Sequence, residues 1–91
     1  MGLSWLDIPG WLTAAEGEQL QRLAASKRVL ELGSYLGRST VAMASVASEV
    51  VSLDWHGGDH GTGPSDTLEG FRLHLARAGV ADRVTVIVGR I

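Results

Sequence analysis

The residues that could carry chemistry lie in the run VLELGSYLGRST, Val29 to Thr40. An apolar strand leads to an acidic residue, Glu31. Gly33 and Gly37 follow, four apart, and then Arg38, Ser39 and Thr40 open an apolar helix. A glycine loop between a strand and a helix makes a cradle for a nucleotide cofactor. The glycines let backbone approach a ligand with no Cβ in the way. The amides at Ser39 and Thr40, with the helix dipole, favour an anionic group. Asp54 ends the next apolar strand, 21 residues after Gly33. A carboxylate there can accept both hydroxyls of a ribose. Trp55 follows it directly and can lie flat on an adenine.

The spacing discriminates between cofactors. A dinucleotide fold requires G-x-G-x-x-G, and Tyr35 occupies the third position of that pattern. A phosphate-binding P-loop requires Gly-Lys-Ser/Thr, and Lys27, the only lysine, lies elsewhere. What is left is acidic-x-Gly-x-x-x-Gly. A generic nucleotide-binding half-fold is therefore disfavoured.

These residues need elements to position them. Residues 1–12 read as an irregular apolar arm around Pro9-Gly10, carrying Trp5, Leu6, Ile8, Trp11 and Leu12. Both tryptophans read as packing residues. Thr13 and Glu16 form a capping box. A helix follows to about Ser26, with Leu20, Leu23 and Ala24 as its buried stripe. Arg28 to Leu32 is the first strand, Arg38 to about Ser48 a helix of small residues, and Val50 to Asp54 the second strand. Residues 55–65 hold four glycines, a proline and two histidines and form a loop. Asp66 caps a third helix with Leu68, Phe71, Leu75 and Ala78 inward, and Gly79 stops it. His74 falls opposite that stripe, where it should be exposed. Val84 to Val88 is the third strand. The order αβαβαβ implies an α/β fold with a parallel sheet, right-handed crossovers and helices on both faces.

At 91 residues the chain is one domain. Its net charge of -2 gives no phosphate footprint, so no nucleic acid is expected. With no cysteine there is no disulfide, thiolate nucleophile or zinc–thiolate site. No signal peptide or membrane-length apolar run is present, and a cytoplasmic location is expected. His56, Asp59 and His60 offer ligand chemistry for a metal. Such a cluster in a glycine loop is more often a solvated turn, and no metal site is expected.

The ordered set of features resembles the class I S-adenosylmethionine (SAM) dependent methyltransferases. The acidic-x-Gly-x-x-x-Gly pattern resembles their first motif. The segment GWLTAAEGEQLQRLA, Gly10 to Ala24, resembles the lead-in helix of a bacterial small-molecule subgroup. Gly37 to Thr40 and VSLDWHGGDHGTG, Val51 to Gly63, resemble its glycine loop and its second strand and loop. The resemblance implies a truncated Rossmann-like three-layer sandwich, with parallel strands in the order 3-2-1. It implies that Glu31 orients the loop and meets the amino group of the methionine end. Gly33, Ser34, Tyr35 and Gly37 would line that end, Ser39 would lie near its carboxylate, Asp54 would hold the ribose and Trp55 would flank the adenine. Without the resemblance, Glu31 either orients a cofactor or ties down a turn. Asp54 likewise either binds ribose or caps a loop, and Arg38 either steers a carboxylate or covers a helix surface.

The implied activity is methyl transfer from SAM to a small-molecule oxygen or nitrogen. The chain ends at Ile91, so strands four to seven, the acceptor pocket and any acid, base or metal ligand on them are expected to be missing. This chain alone should be inactive, and its catalytic residues are unknown. The apolar Val29–Leu32 strand would then be an open edge. It would pair with a second copy, giving a homodimer, or with a partner protein. A different class of function is a non-enzymatic dimerisation or interaction module with a vestigial cofactor site.

Overall fold

The computed structural model describes residues 2–56 and 65–89. Asp59, His60 and the capping side chain expected at Asp66 lie outside what it describes. The arm begins with a single 3-10 turn, Trp5–Asp7, in which the Ser4 hydroxyl accepts from the Leu6 N–H at 3.2 Å. Trp5 and Ile8 are buried, whereas Trp11 is 84 % exposed. Only one of the two tryptophans is therefore a packing residue.

Helix α1 runs Ala14–Ala24 behind the expected capping box. Thr13 Oγ1 accepts from the Glu16 N–H at 3.1 Å, and Glu16 Oε1 accepts from the Thr13 N–H at 2.9 Å. Its inward face is Gly17, Leu20 and Ala24, at i, i+3 and i+7. Leu23 lies one step round and is 59 % exposed, not buried as the stripe predicts. The helix stops short of Ser26, which takes a left-handed φ of 62° and donates its N–H to Val46 O at 2.8 Å.

Strands β1 (Arg28–Leu32), β2 (Glu49–Asp54) and β3 (Val84–Val88) form one parallel sheet in the order β1-β2-β3. This is the expected 3-2-1 order. Helix α2 spans Arg38–Ala44, shorter than predicted. The residues after it leave the helix because their backbone bonds are needed elsewhere. Val46 O takes the Ser26 N–H, and the Ser48 N–H goes to Lys27 O at 2.9 Å, aligning β2 with β1. Helix α3 spans Ser65–Arg77. Gly79, at φ 74°, ends it as a C′ residue, with the Val80 N–H returning to Leu75 O at 3.1 Å.

One hydrophobic core joins all three helices to a single face of the sheet. Ala24, Val41, Ala44, Phe71 and Leu75 meet Val50, with Val29, Val84 and Val86 packed alongside. Alternation along the strands sends Leu30, Leu32 and Ile87 to the other face, where they are 65 %, 54 % and 46 % exposed. The expectation of helices on both faces is thus corrected. Both crossovers step the same way across the sheet, and right-handed connections then place both helices on one side. Among the described residues, two of the sandwich's three layers are present.

Candidate cofactor site

The site forms where the covered face turns polar at the carboxyl ends of the strands. Glu31 pairs in register with Ser52, and Asp54 lies one strand position beyond Leu53. The loop from Gly33 to Gly37 arches over them. Gly33, at φ 85°, has open space where a Cβ would point. Tyr35 takes a left-handed φ of 50°, a costly conformation for an aromatic residue. What holds it is Asp54: Oδ2 accepts from the Ser34 N–H at 2.6 Å and from the Tyr35 N–H at 2.7 Å. Oδ1 accepts from the His56 N–H at 3.0 Å. Burial pushes the Asp54 carboxyl up, but these three N–H groups outweigh it and hold its pKa below the usual carboxylate range.

The other acid has a different task. Glu31 is buried, and its two oxygens accept the hydroxyls of Ser39 and Thr40. The anion at the first turn of α2 is therefore the chain's own. Ser34 turns its hydroxyl inward to Ser52. Gly37 caps α2 at φ 98°, and its missing Cβ makes room for Phe71, whose ring would lie 3.0 Å from it.

Arg38 takes neither of the roles open to it in the sequence. Nε donates to Leu12 O at 2.7 Å, and Nη1 to Leu6 O at 2.8 Å, Ile8 O at 3.0 Å and Trp5 O at 3.3 Å. It fastens the arm to the head of α2, with its guanidinium 5.2 Å from the Trp5 ring centroid. Pinned in this way, the arm stands against the glycine loop and encloses a cleft of about 400 Å³, within the range of small-molecule sites. Pro9 to Leu12 and Glu16 form one wall; Gly33, Ser34, Tyr35 and Ser39 face them. Trp11 meets Tyr35 across the cleft, with ring centroids 5.6 Å apart.

Of the residues singled out in the sequence, Gly33, Ser34, Tyr35 and Ser39 line this cleft. Glu31 lies beneath it, Gly37 behind it, and Asp54 holds its loop from the strand end. Trp55 follows Asp54 and is 39 % exposed. Sequence reasoning missed Trp11 and Glu16 as parts of the site, and it missed that Arg38 fastens the arm. It also missed His74, which is half-buried rather than exposed and bonds through Nδ1 to Leu36 O in the glycine loop at 2.7 Å. His56 is buried against Phe71 at 4.8 Å and holds Thr67 through Nδ1 at 3.2 Å. Burial lowers its pKa; Asp54 opposes that shift and Arg72 adds to it. Among the described residues no group of three or more His, Cys, Asp or Glu could hold a metal, and no helix is long and apolar enough to cross a membrane.

No family model matches the chain. It is 39 % identical over 84 residues to a catechol O-methyltransferase of Mycobacterium tuberculosis, a match covering 86 % of this chain and 34 % of that protein. Its fold is similar to that of cofactor-bound Rv0187 from MTB, at 36 % identity and TM-score 0.71, covering 92 % of this chain and 38 % of that one. It is also similar to the O-methyltransferase TomG from Streptomyces achromogenes, solved in complex with SAM. There the identity is 29 % and the TM-score 0.71, over 88 % of this chain and 35 % of that one. An O-methyltransferase from Bacillus cereus in complex with SAH matches at 26 % identity and TM-score 0.66, over 90 % and 37 % of the two chains. The chain thus spans about a third of the length of the curated relative it matches. In sequence and fold the chain is thus similar to the class I SAM-dependent methyltransferases, over a stretch of that length.

Proposed function

We propose that this chain supplies the cofactor-binding part of a SAM-dependent O-methyltransferase acting on a small molecule. The observation that carries the reading is the Asp54 carboxylate at the end of β2, held ionised by the glycine loop that forms one side of a ligand-sized cleft. These residues fit SAM. The cleft would take the methionine end along Gly33 to Tyr35 and Ser39. Asp54 would take the ribose, and Trp55 the adenine. Glu31 would act by fixing Ser39 and Thr40, and so the start of α2, more than by reaching the ligand itself. When bound, SAM would supply a methyl activated by its sulfonium for attack by a deprotonated acceptor oxygen, with the neutral thioether S-adenosylhomocysteine (SAH) as the leaving group. This chain's residues bind and orient the donor for that displacement.

A carboxylate offers about four acceptor positions. Three are used by Ser34, Tyr35 and His56. One ribose hydroxyl can therefore bond to Oδ1 directly, and a second needs one loop N–H to give way. The test is calorimetric titration of the folded chain with SAH. Micromolar binding is expected, weakened about 10- to 100-fold in Asp54→Ala, the loss for a charged hydrogen bond. Absence of binding at millimolar SAH would overturn the reading.

The methyl acceptor, the residues that act on it and cytoplasmic placement belong to the whole enzyme and are part of the proposal. So is completion of the sheet. The outer edge of β1 has no neighbouring strand among the described residues, and a second copy or another polypeptide would pair with it. A second reading, an interaction module with a vestigial site, is favoured by one observation: the apolar sheet face at Leu30, Leu32 and Ile87. Binding of SAH separates the two.

A further inference from the structure

The protonation of the His56 ring follows from the bonds around Thr67. The Thr67 hydroxyl has one proton, and it goes to His56 O at 2.9 Å. Thr67 Oγ1 is then left to accept from the ring, so His56 Nδ1, 3.2 Å away, carries the imidazole hydrogen. Nε2 is the bare nitrogen. The ring is 2 % exposed and lies 4.8 Å from Phe71, and Nε2 has no hydrogen-bond partner among the described residues.

The same residue reaches Asp54 through its backbone. Its N–H donates to Asp54 Oδ1 at 3.0 Å, and its φ of 57° is left-handed. A ring-bearing residue keeps such a conformation where its surroundings fix it. Thr67, in the first turn of α3, does so by bonding both the ring and the carbonyl of His56. One side chain thus joins α3 to the carboxylate that the cofactor reading assigns to the ribose. A proton added at Nε2 would put an N–H and a charge where no described group accepts them. Burial opposes that proton. Of the charged groups acting on the ring among the described residues, Asp54 on β2 favours it and Arg72 on α3 opposes it. The ring therefore stays neutral to lower pH than an ordinary histidine, and Asp54 stays ionised through the same range.

We propose that His56 is a positioning residue for cofactor binding. In its Nδ1–H form it joins the head of α3 to Asp54, and protonation at Nε2 opens the joint and weakens the hold on the cofactor. The inference rests on the cofactor reading above and adds a pH-dependent control to it. Once the ring leaves its pocket, its backbone N–H no longer sets Asp54 Oδ1, the oxygen open to a ribose hydroxyl.

Two measurements test this. Long-range proton–nitrogen NMR of the wild-type chain at pH 7 is expected to show His56 with a protonated Nδ1 and a bare Nε2; the reverse tautomer would overturn the joint. Calorimetric titration with SAH is then repeated as pH is lowered, with circular dichroism checking the fold at each step. Affinity is expected to fall with the same midpoint as the His56 ring titration, by about tenfold one pH unit below it. His56→Asn keeps a side-chain N–H and tolerates a left-handed φ, so it should bind SAH at pH 7 without that pH step. His56→Leu, which has no donor, should bind more weakly at pH 7. Affinity unchanged across the His56 titration, the same step in His56→Asn, or wild-type affinity in His56→Leu would overturn the joint while leaving the cofactor site standing. Folded wild type that fails to bind SAH at pH 7 would overturn the cofactor reading and the joint with it.

Discussion

Asp54 and His56 sit two residues apart and both make the site sensitive to acid. Asp54 is held ionised by three N–H groups, and its pKa is lowered. His56 is buried, its Nε2 has no hydrogen-bond partner among the described residues, and its pKa is lowered by that burial. A group with a lowered folded pKa binds fewer protons folded than unfolded, so stability rises with pH through its window. For the imidazole, stability is complete above the ordinary value of about 6.5 and is lost as pH falls from there through the folded pKa. For the carboxylate the loss follows below about 3.9. Urea unfolding should therefore give a lower unfolding free energy at pH 5 than at pH 7, and a smaller drop in His56→Gln. Equal or rising stability toward pH 5 would contradict this. Both residues are conspicuous in the sequence, but their partners are not. Asp54 meets backbone groups of the glycine loop, and His56 meets the Thr67 hydroxyl 11 positions away. A residue type announces a donor or acceptor; the atom that answers it depends on packing.

The capping box of α1 is a local interaction, and Thr13 with Glu16 was legible for that reason. Gly17 was not. It reads as a weak point in a helix, where alanine would gain about 1 kcal/mol. In the folded chain a Cβ there would meet the Trp5 ring at 2.0 Å. Trp5 is buried and held between α1 and the Arg38 guanidinium, so it has little freedom to move. Overpacking of this kind costs about 1–3 kcal/mol and outweighs the propensity gain. Gly17→Ala should lower the Tm, and by loosening the arm it should also weaken SAH binding. A raised Tm would show that the arm is not packed as described. The end of α2 was illegible for a related reason: small residues continue to Ser48, and the turn after Ala44 is tied by tertiary bonds, from Ser26 N–H to Val46 O and from Ser48 N–H to Lys27 O.

The alternation of elements was enough to give a parallel sheet, while its strand order 3-2-1 followed from the family resemblance. Which face the helices cover depended on the direction of the crossovers, which periodicity does not encode. The result is a sheet with Leu30, Leu32 and Ile87 on an open apolar face, beside an edge of β1 that no strand pairs among the described residues. Exposed apolar side chains grouped on one face are what the pairing proposed above would cover. Leu30 belongs to both the face and the edge strand. The chain should self-associate at micromolar concentration in sedimentation velocity, and Leu30→Lys should shift it toward monomer with little change in helicity. A wild-type monomer at all concentrations would contradict the pairing proposed for this edge.

The central claim is that the glycine loop and Asp54 form a working cofactor site. The direct measurement is an amide NMR titration of the folded chain with SAH. The account predicts that the Ser34, Tyr35 and His56 amides, which now share Asp54, shift together with the Trp11 indole N–H and saturate along one binding curve. Unmoved loop amides at saturating SAH, or shifts confined to the open sheet face, would contradict it.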